Sequence, residues 1–170
     1  MKNFYDLFVH ELKDMYSAEV QIERALTQYI KMATHSKLKN AFRMHHKETK
    51  NHISRLKQIA RELKISLTKS KCEAMAGILL EGRKSIKEHY SREVRDALLI
   101  GSAQRIEHYE MSVYGTLKAY ARHLKLTDVE RILNITSKEE GHADKKLTEI
   151  ANGTFLSTGI NEKALRRKAA

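Results

Sequence analysis

Proline is absent from the 170 residues, tryptophan is absent, and glycine occurs only 7 times. A chain so poor in turn residues cannot supply the many tight turns of a β-sandwich or barrel, which excludes those classes as expectations. The single cysteine, Cys72, cannot close an internal disulfide, in keeping with a reducing cytoplasm. Long apolar runs are missing too. The opening stretch, MKNFYDLFVHELKDMY, carries charge in every turn and reads as neither a secretory signal nor a membrane span. Gly-rich phosphate loops, zinc-ligand spacings and Ser/His/Asp nucleophile motifs are likewise lacking. These absences predict a cytoplasmic protein with no membrane association.

What the chain does have is helical periodicity. The row Phe8, Leu12, Met15, Glu19, Ile22, Leu26, Tyr29, Ala33 advances in steps of four and three, as one face of a helix does. Three further rows follow: Leu38, Ala41, His45, Glu48, His52, Leu56, Ile59, Leu63; then Ile100, Ala103, Glu107, Glu110, Tyr114, Leu117, Ala121, Leu124; then Val129, Leu133, Thr136, Glu140, Asp144, Leu147, Ala151. Breaks in the pattern, and hydroxyl caps at Thr34 to Ser36, Ser91 and Thr127, predict helices over roughly 2–33, 37–64, 72–89, 92–124 and 128–151. We expect an all-α protein, an antiparallel four-helix bundle in ferritin-like order. The short third helix would lie in the crossover between two hairpins. Residues 1–152 would form the bundle and residues 153–170 a basic, loosely ordered C-terminal tail.

Each row is apolar at its ends and ionisable at its centre. A buried carboxylate without a partner is costly, so several aligned in one bundle point to metal binding. Counted from the hairpin turns, Glu19 is bracketed in height by Glu48 and His52, while Glu107 lies 19 residues before Leu126 with Glu140 and Asp144 14 and 18 after it, so all six can converge near one level. They are the candidate ligands: Glu19, Glu48, His52, Glu107, Glu140 and Asp144. His45 and Glu110 also lie on buried faces. A single such residue is more often a satisfied core group than a ligand, so their membership stays open. The usual Glu-x-x-His spacing is not met at Glu48 or Glu140; it occurs only at Glu139 and His142, whose row continues to Lys146 and Glu149 and therefore faces water. No Lys or Arg shares the buried faces to offset the acids. Tyr114 reads as packing, and Gln104 as either a supporting donor or a core amide.

The segments YSAEVQIERAL, KCEAMAGILLEG, EVRDALLIGSAQRIEHYEMSVYGTL and EEGHADKKLTEIA make the chain resemble the YciE/YciF family of ferritin-like bacterial stress proteins, up to about Asn152. The resemblance implies a four-helix ferritin-like core with a short extra helix, a homodimer, and a dinuclear metal site carried by the matching residues Glu19, Glu48, Glu107 and Glu140. It says little about substrate.

With 32 Lys and Arg against 21 Asp and Glu, the formal net charge is +11. The basic residues scatter over every helix and no nucleic-acid-binding motif accompanies them, so a solvated surface with weak, non-specific nucleic-acid binding is expected. The combined expectation is a stress-protective protein holding two iron or manganese ions per chain and acting on peroxide or O₂. The alternatives are a non-catalytic iron-sequestering or DNA-shielding protein and a metal-free helical interaction module.

Overall fold

The computed structural model describes residues 1–68, 71–86, 90–155 and 157–166. It is all-helical apart from one small hairpin: α1 Phe4–Met32, α2 Ser36–Glu62, α3 Glu73–Ile86, α4 Arg92–His123, α5 Thr127–Asn152, β1 Gly153–Thr154, β2 Ser157–Thr158 and α6 Ile160–Arg166. The long helices pack α1 on α2, α4 on α5, α2 on α5 and α1 on α4, so all four rows face a common interior. Phe8, Leu12, Met15, Leu38, Leu56, Ile100, Leu117 and Leu133 fill it and are almost wholly buried. None of the described helices is long and apolar enough to cross a membrane.

The helix ends show which local signals were strong enough to act alone. Ser91 caps α4 by accepting a hydrogen bond from the Val94 amide at 3.3 Å, as its position predicts. Thr34 and Thr127 do not cap. Instead α2 and α5 follow His35 and Leu126, neither of which makes a side-chain cap bond. The α1–α2 turn is held from outside, by Asp96 of α4. Its carboxylate accepts from the Thr34 amide and hydroxyl at 2.8 and 2.7 Å and from the His35 amide at 2.8 Å.

α2 and α4 end alike. Lys64 and Lys125 take left-handed backbone angles (φ 54° and 58°), and Ile65 and Leu126 then donate back to Ala60 and Ala121 at 2.9 Å. This six-to-one closure satisfies the last carbonyls in a chain that places no glycine there.

α3 runs from the end of α2 toward the start of α4 and packs on α4 and α1. The expected helix over 72–89 extends at its end into residues 87–89, outside the described residues. Gly82 permits the close approach: a β-carbon there would collide with Ser102, whose hydroxyl bonds Tyr29 at 2.6 Å.

Beyond Asn152, where the sequence predicts a loosely ordered tail, the chain is folded as far as Arg166. Gly153 (φ 82°) ends α5, β1 pairs antiparallel with β2, and α6 packs on α4 and α5 with Ile160 buried. An apolar residue at 160 gives this segment a core contact that a purely basic tail would lack. Leu156 and residues 167–170 lie outside the described residues.

Candidate metal centre

Midway along the bundle, α1 contributes Glu19, α2 His45 and His52, α4 Glu107 and Glu110, and α5 Glu140, and every one is buried. Two overlapping groups result. His45, Glu107, Glu110 and Glu140 present ligand atoms that all lie within 4.8 Å of one another, and so do Glu19, His52 and Glu140. Glu140 belongs to both. His45 Nε2 is 3.2 Å from Glu107 Oε1, and His45 Nδ1 is 3.9 Å from Glu140 Oε2. His52 Nδ1 lies 2.8 Å from Glu140 Oε1 and 3.4 Å from Glu19 Oε1.

Hydrogen bonding leaves most of these atoms unsatisfied. Ten buried side-chain nitrogen and oxygen atoms among the described residues lack a hydrogen-bond partner, and nine of them belong to Glu19, His45, His52, Glu107, Glu110 and Glu140. The close approaches within the cluster therefore bring imidazole nitrogens and carboxylate oxygens together outside hydrogen-bonding geometry. Native interiors rarely tolerate this unless another species supplies the missing interactions.

The electrostatics agree. Burial pushes the Glu107 carboxyl up to about 8 against the pull of His45, and it drives Glu110 well above the usual carboxylate range, with Glu140 and Glu19 adding repulsion. Burial also raises Glu19, although His52 opposes it. Burial would lower the two histidines, but the facing carboxylates outweigh it. Glu107 and then Glu48 take His45 to about 9; Glu140 and Glu19 take His52 to about 11. Without a cation, the cluster retains protons at neutral pH.

A second layer holds the first in place. His52 Nε2 lies 2.9 Å from Glu139 Oε2, and Glu139 is clamped by the Arg55 guanidinium, whose NH2 group reaches Oε1 at 3.0 Å and whose NH1 group also bonds Thr136 at 3.2 Å. Tyr114 donates its hydroxyl hydrogen to Glu19 Oε1 in a short bond. The Thr49 hydroxyl donates to the His45 carbonyl at 2.9 Å.

Of the six predicted ligands, four meet at the centre: Glu19, His52, Glu107 and Glu140. Glu48 sits at its rim, with a side chain 38% exposed and Oε2 3.7 Å from His45 Nδ1. Asp144 is turned aside, accepting from Gln104 at 3.0 Å and lying 3.4 Å from His108 Nε2. The three-four spacing allows Asp144 on the row of Glu140, and the packing of α5 against α4 instead sets it opposite Gln104 and His108. His45 and Glu110, left open by the sequence, join the centre instead. His142 is exposed, as its row predicts.

Two residues escaped the sequence reading. Glu139, assigned to the wet side, turns inward to His52, and Arg55 is the cation that the buried rows had seemed to lack. The available signal was Arg55 three residues after His52, a spacing that returns to the same side of a helix.

The donor set is four carboxylates and two imidazoles with no thiolate; the sulfur of Cys72 contacts Tyr109 instead, at 3.0 Å. Such oxygen-rich donors with a little nitrogen suit iron or manganese and offer nothing to soft metals. The orphaned atoms of both groups could hold a metal ion, and Glu140 is common to the two.

The family described as a domain of unknown function, DUF892, matches residues 3–164. Protein YciF of Escherichia coli K12 is 39% identical over 165 residues, covering 96% of both chains. The crystal structure described as that of the E. coli stress protein YciF superposes with a TM-score of 0.84 at 40% identity, over 88% of this chain and 94% of that one. YcfI from Rhodopseudomonas palustris, described as a structural protein, gives a TM-score of 0.86 at 36% identity, over 89% of this chain and 96% of the other. On these matches the chain belongs to the YciF family, whose domain is described as one of unknown function.

Proposed function

We propose that the protein is a ferritin-like four-helix bundle carrying a dinuclear iron or manganese centre, and that it acts on peroxide or O₂ in stress protection. The observation that carries this reading is the set of nine unpartnered buried atoms on six facing side chains. One metal would be held by His45, Glu107, Glu110 and Glu140, the other by Glu19, His52 and Glu140. When bound, the pair would supply two-electron redox chemistry at positions left open to a small oxidant.

The protein's own part is positional. Arg55 and Glu139 fix the imidazole of His52 by holding its far nitrogen, which directs Nδ1 at the centre. Tyr114 holds one oxygen of Glu19 and leaves the other free. Glu48, half out of the interior beside His45, is placed to move in when the charge at the centre changes. The net charge of +11 keeps the surface solvated and gives only weak, salt-sensitive affinity for nucleic acid.

The test is metal content by plasma mass spectrometry on protein purified without a tag and reconstituted with ferrous iron or manganese. About two ions per chain are expected, falling to near zero in Glu140→Ala, which removes the shared ligand. Wild-type protein that is folded yet holds no metal after reconstitution would falsify the reading and favour a helical interaction module.

A further inference from the structure

A trough of about 740 Å³ runs alongside the cluster between α2, α5 and the C-terminal hairpin, and His45 and Glu107 form part of its wall. That volume falls in the range of sites for small organic molecules and is far beyond the needs of O₂ or peroxide, each comparable to a water at about 30 Å³. Something larger than the oxidant fits here.

Its lining changes character from one end to the other. At the hairpin end stand Lys37, Lys163 and His35, with Lys163 Nζ 3.4 Å from His35 Nε2. Neither lysine makes an ion pair with an acid among the described residues, and each helps hold the His35 pKa down after burial. The middle is apolar: Ala41 and Phe42 from α2 face Leu147 and Ile150 from α5. At the cluster end are His45, Glu48 and Glu107. The remaining charged wall residues, Lys146 and Glu149, neutralise each other at 3.1 Å. The trough thus runs from positive through apolar to an end where His45 faces Glu48 and Glu107. From Lys37 to His45, eight residues of helix span roughly 12 Å at about 1.5 Å per residue.

We propose that this trough binds a medium-chain monocarboxylate, its head on Lys37 and Lys163, its hydrocarbon body along Phe42, Leu147 and Ile150, and its far end at His45 and Glu107. Charge sets the orientation, because Lys37 and Lys163 offer the head two cations without acid partners among the described residues, whereas His45 at the other end already faces Glu48 and Glu107. The apolar walls contribute the larger share of affinity through burial of the chain. The proposal rests on the metal reading only for the fate of the bound molecule, since binding itself requires no metal.

The experiment is calorimetric titration of decanoate into the full chain, once after chelation and dialysis and once after metal loading, with decanol and acetate in parallel. Saturable one-to-one binding of decanoate is expected in both states, with acetate failing to bind. Ala41→Phe, which fills the trough, should abolish decanoate and decanol binding alike. The surface pair Lys37→Glu and Lys163→Glu, remote from the core, should weaken decanoate about tenfold and leave decanol nearly unchanged. Absence of decanoate binding to folded wild-type protein overturns the proposal, and so does decanoate binding that the double charge reversal leaves intact. Metal uptake, measured on the same samples, separates the two readings. Decanoate binding without metal uptake leaves the trough standing and removes the metal centre, and the converse does the opposite.

Discussion

Two places in this bundle bury carboxylates, and they treat them in opposite ways. Asp96, 2% exposed, accepts three hydrogen bonds from Thr34 and His35, so the charge is surrounded by donors supplied by the fold itself. Glu110, fully buried, has no partner for either oxygen, and Glu140 likewise has none in hydrogen-bonding geometry. The first is a structural acid, a fastener between α4 and the α1–α2 turn. The second arrangement costs stability unless protons or cations occupy it. Burial alone therefore does not identify a ligand; unmet bonding capacity does.

The contrast can be broken most forcefully at Asp96. Asp96→Ala strips the Thr34 and His35 amides of their partner and undoes the tie between α4 and the α1–α2 turn, which should cost about 3 kcal/mol, a fall of roughly 10 °C in melting temperature. Metal stoichiometry should stay as in the wild type. Loss of metal at equal helicity would show that the fastener and the centre are one unit.

Next in size is the pH response of metal-free protein. Glu107 is raised from 4.5 to about 8, and His45 from 6.5 to about 9, so between these limits the folded state binds more protons than the unfolded one. Stability is then greatest below the unfolded values and falls as pH rises through about 8 and 9. Metal-free protein should melt progressively lower from pH 5 to pH 9. Metal should flatten the profile, and Glu107→Gln should remove part of the slope without it. Superimposable metal-free and metal-bound profiles would contradict the contrast drawn here.

A smaller effect concerns the supporting layer. Arg55→Met frees Glu139 and with it the far nitrogen of His52, which should weaken metal binding roughly ten- to a hundredfold. His142→Ala should change affinity least of all, because that side chain is exposed on the trough side. Competition titrations against a chelator of known affinity rank the two, and the reverse ranking would move the ligand set by one residue around α5.

Much of this was legible before any coordinates. Glu19, His52, Glu107 and Glu140 stand in rows whose two ends are mostly apolar, and such rows turn inward. Asp144 and Glu110 show the limit. Both lie on rows that the three-four spacing allows, and only the rotation of each helix against its neighbours puts Glu110 at the centre and Asp144 on Gln104. Caps divide similarly: Ser91 acts on its own amides, whereas the turn at Thr34 takes its bonds from Asp96, 62 residues away.

The sequence by itself therefore determined helix identity, the ionisable band at mid-bundle and the net charge, because these depend on spacing and composition along one chain. Tertiary structure alone decided which acids would be left without partners and where Arg55 would spend its charge. It also decided that a lysine-rimmed trough would open beside the cluster. Those outcomes turn on distances between side chains on different helices, and no periodicity within a single helix records them.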